Sequence, residues 1–388
     1  MALTDKLSAI GVAIREKTGK SELLTLDAMP SEIAAIETGG GGGEGIPEEA
    51  FVINSDCEYK FANNCWNWFL DLYGDKIKFG GSSLYSATYM FYDSNQLTKV
   101  PFAIDFSKYG GGTKILIANM FAGCGSLVEI PEIVIPSTFY IGSSASLFAN
   151  CYSLRYVPNI TSFKINATNT PVSKMFQYCY SLRELPSWTS NVYSAFYSTD
   201  SLSSTYAMYN YMAQNCYALD GVSDLDAFPG LITSNVFTQA FTNCHRLNKF
   251  TFKTSNGAPK VVRWKSQTID LSTAGYADGT TVAANIIKYN SGITGNKMVS
   301  DDATYQERKD DPDWFAAYLA YSRYNHDSAV ETINSLPDAS AYLASSAGTN
   351  TIKFKGAAGS KTDGGAINTL TEEEIAVATA KGWTVSLV

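Results

Sequence analysis

Residues 120–131 read Met-Phe-Ala-Gly-Cys-Gly-Ser-Leu-Val-Glu-Ile-Pro, and five further stretches of the chain repeat this pattern. Written as a rule, the repeat is Met or Leu, Phe, two variable residues, Cys, two variable residues, Leu, two variable residues, an aliphatic residue and Pro. We number the copies along the chain as repeats 1 to 6. The residues at their Cys position are Ser94, Cys124, Cys151, Cys179, Cys216 and Cys244.

The spacing of these copies predicts a stacked repeat protein. Successive Cys positions lie 30, 27, 28, 37 and 28 residues apart, and one unit of this size presents apolar side chains that it can bury only against its neighbours. In repeat 2, Phe121, Cys124 and Leu127 are three residues apart, which predicts the buried face of a short helical turn. Ile130 then predicts a strand that ends at Pro131. We therefore expect an α/β solenoid with the repeated residues in its core.

Five of the seven cysteines fill this one repeated position. This predicts buried, reduced thiols that pack as small hydrophobic side chains. Side chains that point the same way from stacked repeats have the wrong torsion for a disulfide, and the chain has no Cys-x-x-Cys pair to support a metal site. We expect Cys151→Ser to cost about 1 to 3 kcal/mol, because its hydroxyl would be buried without an assured partner.

The composition indicates an ordered protein without a nucleic-acid partner. Apolar residues make up 45% of the chain and charged residues 17%, which is typical of a folded protein. Lys and Arg number 29 against 37 Asp and Glu, a net charge of −8, and no basic stripe is present to neutralise phosphates. The absence of a run of about 18 apolar residues and of a secretory pattern predicts no membrane insertion and folding in a cytosol.

Residues 1–38 predict two short amphipathic helices. Leu7, Ile10 and Ile14 recur at a heptad-like spacing, and a second helix after Pro30 carries Ile33 and Ile36 on one face. So short a segment cannot bury this stripe internally, so it either serves as an attachment and oligomerisation segment or packs back on the repeats. The run of glycines in residues 39–45 predicts a flexible linker.

The interval between repeats 4 and 5 is about nine residues longer than its neighbours and is rich in aromatic and hydroxyl side chains. Insertions in a repeat array form loops on one face, often the binding face. Tyr and Trp combine flat apolar area with a polar group, which suits recognition of glycans or protein surfaces; the alternative is that these rings fill core positions. The candidate ligand-binding residues are Trp188, Tyr193, Phe196, Tyr197, Tyr206 and Tyr209.

Beyond residue 255 the repeat pattern gives way to a region predicted to cap the array with helices and strands. Val261 and Ile269 indicate further strands. We predict helices near residues 312 and 327, a strand over residues 351–354, a helix with a Thr371 and Glu374 capping box, and a last strand over residues 383–388. The predicted divisions are residues 1–38, 39–45, 46–255 (with an N-terminal cap before the repeats) and 256–388.

No residue pattern predicts a catalytic or metal site. Cys244 and His245 are adjacent, so their side chains diverge and do not predict a thiol–imidazole pair. His326 reads as a solvated neighbour of Asp327, the predicted cap of its helix. The acidic residues within 301–313 lack the spacing of a calcium loop, and no two carboxylates indicate glycan hydrolysis. We expect a non-enzymatic protein without a cofactor.

The repeats resemble leucine-rich repeats of the BspA-like, cysteine-containing type, which occur in bacterial surface proteins and in tail or fibre proteins of bacteriophages. The resemblance covers residues 90–250 and departs at Ser94, at Ala213 in the Phe position, and at the missing Pro after Val222 and Phe250. Residues 1–38 resemble an N-terminal module of structural proteins from phages of Gram-positive hosts.

These resemblances imply a virion protein, made in the host cytoplasm, that joins other virion proteins through residues 1–38. They imply a fibre or appendage that binds a host-surface glycan or protein as a homo-oligomer, with a trimer favoured. A bacterial cell-surface adhesin and a tail-associated glycan hydrolase are the alternatives. Capsid, tail and baseplate all stay open as the site on the particle.

Overall fold

The computed structural model of this chain describes residues 52–53, 61–63, 70, 74, 77–79, 86–107, 114–157, 172–186, 209–225, 227, 231–232, 234–244, 246–255, 258–274, 324–345, 348–355 and 370–388. The predicted helices of residues 1–38, the glycine linker and the helix expected near residue 312 lie outside these ranges. So do the attachment residues Leu7, Ile10, Ile14, Ile33 and Ile36.

Short strands mark the repeats and the segments that flank them. They are β1 (Val52–Ile53), β2 (Lys78–Phe79), β3 (Ile104–Asp105), β4 (Lys114–Leu116), β5 (Ile133–Val134), β6 (Tyr140–Ser143), β7 (Gly221–Leu225), β8 (Leu231–Ile232), β9 (Lys249–Phe252), β10 (Thr254–Ser255), β11 (Ala258–Pro259), β12 (Arg263–Trp264) and β13 (Thr268–Asp270). β3 pairs with β5, β4 with β6 and β7 with β9, each in parallel, as expected when successive repeats lie side by side.

The Phe segment of each repeat is a chain of tight turns, so the predicted helical turn is wrong. In repeat 2, the Cys124 N–H donates to the Phe121 carbonyl at 3.0 Å and the Leu127 N–H to the Cys124 carbonyl at 3.1 Å. Asn119 and Gly123 have positive φ angles of 54° and 82°, which an α-helix does not accommodate. A Cβ added to Gly123 would lie 3.0 Å from Asp93 Oδ1 in repeat 1, so a larger residue at this place in repeat 2 would require the Asp93 side chain to shift.

Two sets of backbone hydrogen bonds join successive repeats, and they run in opposite directions. In the Phe segment, N–H groups donate forward, as from Phe121 to the Leu147 carbonyl at 3.0 Å. After the repeated Leu, N–H groups donate to the preceding repeat, as from Arg155 to the Val128 carbonyl at 3.1 Å and from Asp220 to the Arg183 carbonyl at 2.9 Å. Each interior repeat thus satisfies polar backbone groups on both neighbours, which a buried backbone requires.

The repeated apolar positions form the core, which confirms the prediction for these residues. Phe121, Cys124 and Leu127 are fully buried. Stacked rings with centroids 5.1 to 5.7 Å apart run through the first repeats in the order Phe61, Phe91, Phe121, Phe148 and Phe176. Phe61 belongs to the segment predicted to cap the array, and its ring extends the stack beyond repeat 1.

The C-terminal region contains a parallel three-stranded sheet with helices beside it. Its elements after β13 are α1 (His326–Ser335), α2 (Ser340–Leu343), β14 (Asn350–Phe354), α3 (Glu372–Ala380) and β15 (Trp383–Leu387), and the sheet order is β13, β14, β15. The predicted strands over 351–354 and 383–388 and the Thr371–Glu374 capping box are confirmed. None of the helices in the described ranges is both long and apolar enough to cross a membrane.

Hydrogen bonds attach this region to the end of the repeats. Thr332 of α1 donates to the Phe250 carbonyl at 2.6 Å, and the Phe252 N–H donates to Ser335 Oγ at 3.1 Å. β12 also pairs with β8. These contacts cross the predicted boundary at residue 255. That boundary and the leucine-rich-repeat class both stay predictions.

Candidate ligand-binding face

The predicted binding residues divide into five outside the described ranges and one in the core. Trp188, Tyr193, Phe196, Tyr197 and Tyr206 lie outside the described residues and stay predictions. Tyr209 is described, and its side chain is 0% exposed and stacks on Phe237 at 5.1 Å. A ring without exposed surface cannot contact a host ligand, so the prediction for Tyr209 is corrected: it fills a core position.

A different set of tyrosines stacks across repeats 3 to 5, and two of the three are partly exposed. Tyr152, Tyr180 and Tyr217 follow the Cys position in repeats 3, 4 and 5, and their rings stack face to face with centroids 5.0 Å apart. Tyr152 and Tyr180 are half-buried, whereas Tyr217 is 7% exposed. Tyr178 meets the Tyr180 ring edge-on at 6.3 Å. The stack therefore forms because equivalent positions of neighbouring repeats are one repeat spacing apart.

Side-chain amides of the same turns also link neighbouring repeats, in two rows. Gln177 Nε2 donates to Gln214 Oε1 at 2.6 Å, and Gln214 Nε2 donates to Gln239 Oε1 at 2.5 Å. In the adjacent row, Asn243 Nδ2 donates to Asn215 Oδ1 at 2.7 Å. Each bond links one repeat to the next, so the rows are held in register by the stacked backbone beneath them.

We call this surface the turn face, because its side chains extend from the turns of repeats 3 to 6. Lys174 also lies on it, with Nζ 5.7 Å from the centroid of the Tyr211 ring, within the range of a cation–π contact. The turn face comprises Tyr152, Lys174, Gln177, Tyr178, Tyr180, Tyr211, Gln214, Asn215, Tyr217, Gln239 and Asn243, of which Asn215 and Tyr217 are buried beneath their neighbours.

The turn face is nearly uncharged at neutral pH. Its members include one Lys and no carboxylate. Burial raises the pKa of Tyr152 above its ordinary value, with smaller contributions from Cys151, Tyr178 and the Asp93 carboxylate of repeat 1. The Tyr152 hydroxyl therefore stays protonated and can both donate and accept a hydrogen bond.

Sequence reasoning missed this face although the chain contains a signal for it. Three successive repeats read Cys-Tyr-Ser-Leu, Cys-Tyr-Ser-Leu and Cys-Tyr-Ala-Leu. A residue that recurs at a fixed place in a stacked repeat forms a row in space. The aromatic density of the insertion was the more visible feature of the sequence.

The five repeat cysteines are buried and free, which confirms their predicted state. Each thiol also donates to the carbonyl of the residue at the Phe position one repeat earlier, at 3.0 to 3.1 Å, in Cys124, Cys151, Cys179, Cys216 and Cys244. Burial raises the pKa of Cys151, Cys179 and Cys216, and that of Cys244 to about 12. These thiols are therefore unreactive packing groups, because the thiolate is the nucleophile.

His326 is partly exposed beside Asp327, as the sequence predicted, but it also contacts a second helix. Its Nε2 lies 3.1 Å from the Glu374 carboxylate at the start of α3, and its Nδ1 lies 3.3 Å from Asp327. The hydrogen bonds with Asp327 and Glu374 raise the pKa of His326. Asn325, not Asp327, caps α1, since its Oδ1 accepts the Ser328 N–H at 2.9 Å. His326 thus joins the first turns of two helices.

Among the described residues, no group of three or more His, Cys, Asp or Glu side chains is placed to hold a metal ion. His245 and the acidic residues within 301–313 lie outside those residues. Glu374 accepts the Thr371 N–H at 2.8 Å and completes a capping box, so its carboxylate has a structural partner.

No protein-family model matches this chain, and neither a curated protein nor a solved structure matches it.

Proposed function

We propose that this chain is a non-enzymatic phage virion protein of the fibre or appendage type, which displays a leucine-rich-repeat solenoid to the host surface. The observation that carries the proposal is the turn face, where stacked tyrosines and amide rows recur from repeat to repeat on a hydrogen-bonded backbone. Partly exposed Tyr beside Gln and Asn is a composition that suits recognition of another molecule.

The fold class supports the same function. Parallel pairing of β3 with β5 and of β7 with β9, together with the stacked Phe rings, is what a leucine-rich-repeat solenoid requires of neighbouring units. A backbone held in this way gives surface side chains a fixed spacing, so binding does not require the ordering of a loop.

The attachment proposal rests on the sequence of residues 1–38. A glycine tract separates the apolar stripe of Leu7, Ile10 and Ile14 from the repeats. The partners of this stripe would therefore be other virion proteins and other copies of the chain, with a trimer favoured. A chain that lacks residues 1–45 should stay folded and soluble but remain monomeric in sedimentation, whereas the full chain forms an oligomer. A full-length monomer would contradict this part of the proposal.

Cell binding tests the function directly. We expect fluorescently labelled full-length protein to adhere to cells of some strains in a panel of Gram-positive bacteria. Tyr152→Ala combined with Tyr180→Ala should lose adhesion. Tyr156→Ala is the matched control, because Tyr156 is a 50% exposed tyrosine of repeat 3 that lies outside the turn face. Adhesion to no strain would refute host binding, and release of reducing sugar from cell walls would favour the hydrolase alternative instead.

A further inference from the structure

The amide rows of the turn face offer both hydrogen-bond donors and acceptors to a ligand. A carboxamide has two N–H donors and an oxygen that accepts. In the Gln row the donors point from repeat 4 toward repeat 6, from Gln177 through Gln214 to Gln239. Within the described residues this leaves an acceptor unused on Gln177 and two donors unused on Gln239.

The Asn row runs the other way. Asn243 of repeat 6 donates to Asn215 of repeat 5, which leaves the Asn243 oxygen as an acceptor within the described residues. An acceptor of one row and donors of the other row therefore lie at the repeat 6 end of the face. A ligand hydroxyl group matches both, because it donates and accepts at once.

The turn face has too few charged side chains to bind a strongly ionic ligand. A polyanion needs several cations, and the face has Lys174 alone, which lies over Tyr211. A cationic polymer needs several carboxylates, whereas none of the turn-face residues has one and Asp93 of repeat 1 is a single carboxylate that acts on Tyr152 from outside the face. The complementary ligand is neutral and rich in hydroxyl groups.

The repeat spacing adds a requirement of shape. The partly exposed Tyr152 and Tyr180 rings lie 5.0 Å apart in successive repeats, and the Gln row continues the face to repeat 6, so an extended polymer can contact several repeats at once. Weak contacts on successive repeats then give useful affinity through effective concentration.

We infer that the turn face of repeats 3 to 6 binds an extended neutral polysaccharide, whose hydroxyls bond to Gln177, Gln214 and Gln239 and whose sugar rings contact the edges of Tyr152 and Tyr180. This inference rests on the proposed function, because it names the ligand class of the host surface. It places recognition on the stacked repeats themselves and not on the insertion between repeats 4 and 5.

Chemical and enzymatic treatment of the cells tests the class of ligand separately from host binding itself. With cells that bind the full-length protein, periodate oxidation of surface sugars should abolish binding, whereas protease treatment should leave it intact. Binding should also persist when the ionic strength is raised about tenfold, since a neutral ligand is not screened. Loss of binding on protease treatment, or at high salt, would overturn the polysaccharide assignment while host binding itself stands. Failure to bind any strain would instead refute the proposed function.

Variants test the site with purified material. On a surface coated with neutral, phosphate-free cell-wall polysaccharide, Gln214→Ala should weaken binding about tenfold, the effect of losing a hydrogen bond of ordinary strength. Gln214→Lys should weaken it too, but would strengthen binding if the true ligand were anionic. Tyr156→Ala should bind as the unaltered chain does. Equal urea midpoints for all variants show that folding is intact, and normal binding by Gln214→Ala would overturn the site.

Discussion

The cysteine position allows a test of which interaction holds neighbouring repeats together. Cys151 is fully buried, and its Sγ lies 3.1 Å from the Phe121 carbonyl of the preceding repeat. Repeat 1 has Ser94 in the same position, and its Oγ donates to the Phe61 carbonyl at 2.8 Å. The position is therefore a donor site as well as a core site, and serine already serves there.

The Phe121 carbonyl gives a serine hydroxyl at position 151 a hydrogen-bond partner. The sequence predicted a cost of about 1 to 3 kcal/mol from a hydroxyl without an assured partner, but the structure supplies the partner. We now expect about 1 kcal/mol for Cys151→Ser, mainly from lost apolar packing. Cys151→Ala should cost about 2 kcal/mol, because it loses the hydrogen bond and leaves a small cavity.

The order of the two variants is the decisive result. Urea unfolding followed by circular dichroism gives both free energies, and equal slopes show that the same surface unfolds in each. If the position were only hydrophobic, Ala would be tolerated at least as well as Ser. An alanine variant as stable as the serine variant would therefore refute a contribution from the thiol–carbonyl bond. Thiol titration should find the five repeat cysteines unreactive until the protein unfolds.

Further predictions concern the pH dependence, the cap and the insertion. The pKa of His326 is raised in the folded protein, so its contribution to stability is complete below the pKa of the unfolded chain and is lost as the pH rises through the folded pKa. The melting temperature of the unaltered protein should therefore fall over this pH range by more than that of His326→Gln. Equal pH profiles of the two proteins would contradict the contact with Glu374. Gln267 is buried, accepts the Val236 N–H at 3.0 Å and donates to the Ser234 carbonyl at 2.8 Å. Gln267→Leu should therefore lower the free energy of unfolding by about 3 kcal/mol. A loss well under 1 kcal/mol would argue against a contribution from these hydrogen bonds. Replacing Tyr193, Phe196 and Tyr197 together by Ala should shift the melting temperature by only a few degrees if these rings are exposed; unfolding of that variant would place them in the core, and loss of host binding would return recognition to the insertion.

The sequence predicts the core positions and the C-terminal elements because their signals are local. Phe121, Cys124 and Leu127 belong to a pattern that recurs six times, and recurrence at a fixed place implies a shared core. The helix that follows Thr371 was predictable because the Thr371–Glu374 box satisfies backbone groups within one turn. Neither inference depends on how distant parts of the chain meet.

The turn geometry was misjudged because a spacing of three residues does not distinguish a helix from linked tight turns. The distinguishing signal lies two residues after the Phe position, where the residue has positive φ in every repeat and is Gly or Asn in four of the six: Asp93, Gly123, Asn150, Tyr178, Asn215 and Asn243. Asn and Gly are the residues that adopt this conformation most readily. A run of such residues at one repeat position predicts turns.

Tyr209 was misassigned because the insertion hid its place in the repeat. It lies seven residues before Cys216, as Ile117 lies before Cys124 and Val172 before Cys179, and all three are fully buried. Counting back from the Cys position identifies it as a core residue. The stacking of Tyr152 on Tyr180 could be placed only once the register between repeats was known.

The opposed hydrogen bonds between repeats explain why the array needs a side-chain cap at its end. Interior repeats donate forward from the Phe segment, so repeat 6 would have N–H groups without a following repeat. There the Asn243 N–H donates to Thr273 Oγ1 at 2.9 Å, and the Val236 N–H donates to Gln267 Oε1 at 3.0 Å.

Side chains from the segment around β13 thus replace a seventh copy of the backbone, and Asn350 of β14 accepts the Gln267 N–H at 3.0 Å. Buried amides satisfied on every side specify one arrangement, since a shifted register would leave polar groups unpaired in the core. The cap therefore fixes the repeat at which the forward-donating backbone hydrogen bonds end. It also fixes the length of the turn face, and with it the number of successive contacts that an extended ligand can make.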